Sequence, residues 1–131
     1  MLDKGAYNFE RLVAWQRAVE LAEMSYELAK RLPKDERFAL IDQLKRAATS
    51  VSLNIAEGSA GQNEKVFYNF LCIAQRSLFE TIAILILIER LFGTEVKNEL
   101  EKCDMVNKPL SGLKRSLKEG RKVQQPTAKN Q

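Results

Sequence analysis

The side chains best placed to do chemistry lie between residues 43 and 57. Gln43, Arg46, Ser50, Asn54 and Glu57 recur at steps of three and four, which on a helix puts them on one narrow stripe. A guanidinium, a carboxylate, a hydroxyl and two amides on one stripe offer ion pairing and hydrogen bonding, to a ligand or to another helix. Catalysis fits poorly. The chain has no histidine, so the commonest general base and nucleophile activator is missing. No phosphate-binding loop, GxSxG elbow or metal-ligand spacing occurs. Glu57 and Glu80 could form a carboxylate pair, but nothing else assembles a site around them. A protein that is not an enzyme, with no cofactor and no metal, is therefore expected.

The stripe borders an apolar arc of Leu40, Leu44, Ala47, Val51 and Ile55. A polar seam in that position is expected to be partly buried, and buried polar groups need partners. Arg46 and Glu57 are separated by eleven residues, about 16 Å along a helix axis, so they cannot pair on their own helix. Ser77, Glu80 and neighbouring subunits are the candidate partners. Glu57 precedes Gly58 at the negative end of its helix, where an acid calls for a compensating donor such as an arginine. Gln43, Arg46, Ser50, Asn54, Glu57, Ser77 and Glu80 are thus read as a structural seam that sets helix and subunit docking.

The elements that must position these residues are helical. Leu12, Trp15, Val19, Ala22, Tyr26 and Ala29 keep a three-four spacing over a first helix from about Glu10 to Arg31. Asn8 is its expected cap, Pro33 its stop, and Trp15 a core residue. A second helix opens near Asp35 and Glu36 and ends at Gly58, read as a left-handed cap. Asn63 caps a third helix, Glu64 to Phe92, closed by Gly93. Its inner face is Phe67, Phe70, Leu71, Ala74, Leu78, Ile82, Leu85, Ile88 and Phe92. Val66, Ile73, Ile84, Ile86 and Leu91 extend the apolar character around it, so this helix needs more than one neighbour and points to subunit contacts. A fourth helix starts near Thr94 or Glu95, with a kink or break expected near Asn107 and Lys108, ahead of Pro109, and ends at Gly120. Short connections give an all-α, up-down-up-down antiparallel four-helix bundle. The expected division is a bundle domain over 1–120 and a disordered basic tail over 121–131.

Size and charge complete this picture. The chain has 131 residues, 45% hydrophobic and 29% charged, which suits one globular domain. Cys72 sits in an apolar helical run and Cys103 is far from it in sequence. That cysteine usage, and an N-terminus without the apolar core of a signal peptide, predict a reduced, cytoplasmic setting. The longest apolar run, Ile82 to Ile88, is too short to span a bilayer, and no membrane partner is expected. The net charge of +4 is uneven: from Lys108 onward there are seven bases and one acid, a net +6, which leaves −2 for the rest. Lys108, Lys114, Arg115, Lys118, Arg121 and Lys122 are accordingly candidate nucleic-acid contacts. No aromatic residue follows Phe92, so base stacking there is not expected. Membrane-surface association through this basic segment is a weaker reading, since its leucines are needed by the core.

Phe9, Glu10, Leu12, Trp15 and Gln16, then Leu32, Pro33, Glu36, Arg37, Phe38, Leu40, Gln43, Arg46, Ala47, Ala48, Ser50 and Val51, and the run Asn54-Ile55-Ala56-Glu57-Gly58, form a pattern. Phe67, Phe70, Leu71, Ala74, Ser77, Leu78 and Glu80 continue it. The pattern resembles the four-helix-bundle proteins encoded in intervening sequences of bacterial 23S rRNA genes, also labelled S23 ribosomal proteins. The likeness spans about Phe9 to Leu117. The wider family includes the accessory proteins of diversity-generating retroelements. The resemblance implies a homopentameric, barrel-like ring. In the retroelement branch it also implies a basic surface that contacts nucleic acid and a reverse transcriptase. The expected partners are thus a second copy of the chain, RNA or DNA bound without sequence reading, or a protein partner for which the chain serves as adaptor or scaffold. Two features depart from the family. The loop after Glu57-Gly58 is often rich in Arg and Lys, but here reads Ser59-Ala60-Gly61-Gln62-Asn63, so no nucleic-acid contact is expected from it. Pro109 stands where the fourth helix would normally continue.

Overall fold

The computed structural model describes residues 7–33, 38–61 and 63–124; for 38 and 119–124 the description is of the backbone alone. All regular structure among these residues is helical. After a short 3-10 turn at Asn8–Arg11 come α1 (Val13–Arg31), α2 (Phe38–Ser59), α3 (Glu64–Phe92) and α4 (Lys97–Gln124). Each helix packs on two others, α1 on α2 and α4, and α3 on α2 and α4. They close around one core whose fully buried side chains include Leu21, Leu44, Leu71, Leu85, Val106 and Leu110. Burying one such side chain stabilises the fold by roughly 1.5–3 kcal/mol.

Local chemistry explains most of the helix ends. The Asn63 side chain accepts the Val66 N–H at 3.0 Å and caps α3. Gly93 closes α3 in the left-handed region, φ 72°, with its N–H on the Glu89 carbonyl. Leu32, extended before Pro33, ends α1. The start of α1 differs from the sequence expectation. Glu10 belongs to the preceding 3-10 turn, and its carboxylate accepts the Tyr7 N–H at 3.0 Å. Asn8 lies inside that turn and does not cap α1. Asp35 and Glu36, the expected opening of α2, lie outside the described residues.

Three further expectations are corrected. The buried residues of α1 are Ala14, Ala18, Leu21, Ser25, Leu28 and Ala29; Ala29 is buried as expected, and the rest lie one position away from the seam read off Trp15, Val19, Ala22 and Tyr26. Both stripes have helical spacing, and the small Ala14 and Ala18 let α1 approach its neighbours closely. Trp15 is half-buried, packs against the core from outside the buried stripe, and its ring meets Phe9 at 4.9 Å between centroids. Gly58 does not end α2, and it has no positive φ. A Cβ there would stand 2.6 Å from the Phe70 Cβ and 3.0 Å from the Phe67 ring, so the glycine serves the close approach of α2 to α3. Finally, α4 is unbroken across Asn107 and Lys108, holds Pro109 inside it, and continues past Gly120 to Gln124. Of the expected tail, 125–131 lies outside the described residues.

On α3, Leu71, Ala74, Leu78, Leu85 and Ile88 face the core as expected. Ile84 joins them at 3% exposure, whereas Ile82 is only half-buried. By length and composition α3 is apolar enough to cross a membrane, with mean hydropathy 1.9 over an 18-residue window, of which 44% is buried. That window is longer than the Ile82–Ile88 run considered from sequence.

Candidate functional site

The seam residues do converge, but on an open groove. Gln43, Arg46, Ala47 and Ser50 of α2 face Ser77 and Glu80 of α3 across a groove of about 380 Å³. Asn54 Nδ2 donates to the Ser50 carbonyl at 2.8 Å and to Ser50 Oγ at 2.9 Å. Ser50 Oγ lies 2.8 Å from Ser77 Oγ. Ser50 Oγ thus accepts from Asn54 and shares one hydrogen bond with Ser77, in which either hydroxyl can donate, so a hydroxyl–amide chain crosses from α2 to α3. Two turns back along α2 and one turn on along α3, Gln43 Nε2 donates to Glu80 Oε2 at 3.3 Å.

Burial separates the members. Ser50, Asn54 and Ser77 are half-buried, while Gln43, Arg46, Glu57 and Glu80 are exposed. The expected buried ionic network is therefore corrected to a short hydroxyl–amide relay with a solvated rim. Arg46 pairs with Asp42 on its own helix at 3.0 Å, its side chain 78% exposed, and has no distant buried partner among the described residues. Glu57 is outside the groove and without a hydrogen-bond or ion-pair partner among the described residues. Ser50 and Ser77 bond to each other and Ser50 to Asn54, and these contacts tie α2 to α3 along the groove.

The basic end divides in the same way. Lys108, Arg115 and Lys118 are exposed on α4. Lys114 turns inward: its Nζ donates to Gln75 Oε1 at 2.6 Å and sits 5.7 Å from the Tyr68 ring centroid. Gln75 in turn donates to Asn107 at 3.0 Å and to Ser111 at 3.1 Å, tying α3 to α4. Arg121 and Lys122 fall on the helical backbone, and their side chains lie outside the described residues. Among the described residues no group of His, Cys, Asp or Glu could hold a metal ion.

Sequence reasoning missed several features. Pro109 has no N–H for the Met105 carbonyl one turn earlier; Arg17 of α1 donates to that carbonyl at 2.8 Å. The signal was present, because a proline at i always frees the carbonyl at i−4, but its partner is 88 residues away in sequence. Glu99 is buried at the start of α4, 3.5 Å from Arg31. Burial, with Asp104 and Glu99 adding to it, pushes the Cys103 thiol up to about 12 and makes it an inert core residue. A second groove, about 490 Å³, lies between α1 and α2 and is lined by Val19, Ala22, Glu23, Tyr26, Glu27 and Ser52. Lys45 Nζ stands 5.0 Å from the Tyr26 ring centroid there.

Among curated proteins none matches the chain. The family model described as "23S rRNA-intervening sequence protein" matches residues 10–112. That span holds the whole polar groove and Lys108, and it stops short of Lys114, Arg115, Lys118, Arg121 and Lys122.

Proposed function

The chain belongs to the 23S rRNA-intervening sequence protein family, and from that premise we propose that it is a non-catalytic, self-associating bundle that holds nucleic acid at the basic end of α4. The observation that carries this reading is the concentration of charge. A net +6 falls on residues from Lys108 onward, and Lys108, Arg115 and Lys118 stand exposed on one continuous helix. Such a surface neutralises phosphates and releases their counterions without reading bases. Arg121 and Lys122 extend it, whereas Lys114 is occupied by Gln75.

Side-chain contacts support an up-down-up-down antiparallel order. Arg17 reaches Met105, Glu20 reaches Lys102, and Arg31 reaches Glu99, so α4 descends as α1 rises. Exposed apolar side chains on α3, among them Phe79, Ile86, Leu87 and Leu91, support self-association. The family resemblance supplies the subunit number, five. A ring of that size would collect about +30 if the basic ends share a rim. The free thiols Cys72 and Cys103 suit a reduced, cytoplasmic setting.

Fluorescence anisotropy with a labelled single-stranded RNA and a duplex DNA tests the reading. Wild type is expected to bind both, with affinity falling steeply as salt rises. Lys108→Gln/Arg115→Gln/Lys118→Gln should flatten the slope of log K against log salt by about 2–3. A triple variant that binds like wild type would remove α4 as the contact surface.

A second reading, an adaptor for a protein partner such as a reverse-transcriptase-type enzyme, draws on the same apolar face of α3. Recovery of a protein partner after nuclease treatment, lost in Phe79→Ser, would favour it over nucleic-acid binding.

A further inference from the structure

We propose that the seam between α3 and α4 is a phosphate site, with Lys114 supplying the charge and the Asn107 amide a second donor. The proposal rests on the nucleic-acid reading above for the source of that phosphate, a backbone phosphodiester. It adds one positioned contact to the solvated bases around it.

The hydrogen bonds of the seam fix its polarity. An ammonium can only donate, so Lys114 Nζ faces the Gln75 amide oxygen at 2.6 Å. Gln75 Nε2 must then point the other way, where it donates to Asn107 Oδ1 at 3.0 Å and to Ser111 Oγ at 3.1 Å. The Ser111 hydroxyl turns its own proton to Asn107 Oδ1, at 3.4 Å. Both amide oxygens are thus taken up inside the cluster. Asn107 Nδ2 has no hydrogen-bond partner among the described residues. Gln75 takes one of the three N–H groups of Lys114 and leaves two. The groups still open are therefore N–H donors, one set on a cation, and these are the complement of phosphate oxygens.

No carboxylate offsets the charge nearby. α3 carries no acid from Lys65 to Phe79, and α4 carries none from Met105 to Lys118. Lys65, Arg76, Lys108, Lys114, Arg115 and Lys118 all fall on those two stretches. Lys114 is half-buried and the other five are exposed. A half-buried ammonium bonded to a neutral amide lacks a counter-charge, and an anion from outside supplies it. Restraint also sets Lys114 apart. Gln75 holds its tip, and the Tyr68 ring centroid is 5.7 Å away. An exposed lysine gives up its side-chain freedom when it binds a phosphate, whereas Lys114 has lost much of that freedom on folding.

Nuclear magnetic resonance of the side-chain amides in isotope-labelled protein tests this, with a short single-stranded RNA and inorganic phosphate as separate probes. RNA is expected to shift the Asn107 and Gln75 amide signals, and millimolar phosphate alone to leave them in place. Lys114→Gln should abolish the shift and flatten the slope of log K against log salt by about 0.7. Gln75→Leu keeps the charge but frees the lysine, so RNA affinity should fall about 3–10-fold with the slope unchanged. Gln75→Glu covers the case in which leucine loosens the fold. It keeps the bond to Lys114, adds the missing carboxylate, and should flatten the slope at least as much as Lys114→Gln. RNA that binds without moving the amides, with the same slope for Lys114→Gln, would overturn the site and leave the nucleic-acid reading standing. A wild type that binds no RNA but shows the shift with inorganic phosphate would keep the site, assign it to free phosphate, and overturn that reading. A wild type that responds to neither probe would overturn both.

Discussion

At the residue scale, exposure decides what the polar seam is worth. An arginine committed to a buried pair costs about 3–5 kcal/mol to remove. Arg46 has no such partner among the described residues; its contact is the i,i+4 pair with Asp42, both side chains at least half exposed. Such pairs contribute about 0.3–0.5 kcal/mol. Arg46→Ala is therefore expected to lower stability by no more than about 0.5 kcal/mol in urea denaturation and to leave the oligomeric mass unchanged. A loss of several kcal/mol would restore the buried network. The spacing of Gln43, Arg46, Ser50, Asn54 and Glu57 puts them along one side of α2, where Gln43, Arg46 and Ser50 line the α3 groove and Asn54 bonds to Ser50 beside it. Burial was not legible, because it depends on where the edge of α3 lies. Only Ser50, bonded to Ser77, and Asn54, bonded to Ser50, are drawn under that edge.

At the scale of elements, the helices tolerate local faults because a neighbour repairs them. Pro109 inside α4 is a position where a free helix would bend or break. Arg17 donates to the carbonyl that the proline leaves unpaired. Removing that donor with Arg17→Met should cost about 1 kcal/mol in thermal or urea unfolding. In a Pro109→Ala background the backbone amide can take over, and the same change should cost close to nothing. Equal costs in both backgrounds would show that Arg17 does not act through the proline. Gly58 makes a related point. The sequence marked it as a helix end, but the chain runs through it to Ser59, and the absent side chain is what lets Phe70 lie against α2. Lys114 was read as one more solvated base, and the Gln75–Asn107–Ser111 cluster draws it inward. None of these partners is near in sequence, which is why periodicity and cap rules could not find them.

At the scale of the whole molecule, binding and assembly should be linked. One copy offers a short basic helix end, and a closed assembly repeats it, so a long RNA can touch several copies at once and gain avidity. Phe79→Ser/Leu87→Ser is the probe of this link, because it breaks the exposed apolar face of α3 and leaves the basic end of α4 untouched. Its affinity for a long RNA should fall about 100-fold on loss of multivalency, with affinity for an oligonucleotide of one-subunit length unchanged. A monomeric variant that binds long RNA as tightly as wild type would show that one copy suffices.

The sequence by itself determined the class, the number of helices and several of their ends. Helical spacing, the Asn63 cap, the Gly93 stop and the Leu32-Pro33 break depend on contacts within a turn or two, which local composition encodes. The tertiary structure alone decided which of two equally regular apolar stripes on α1 is buried, what Gly58 is for, how Pro109 is accommodated, and which bases of α4 remain exposed. Each of those depends on a surface supplied by a different helix, and a stripe becomes a core, or a groove, only when something stands opposite it.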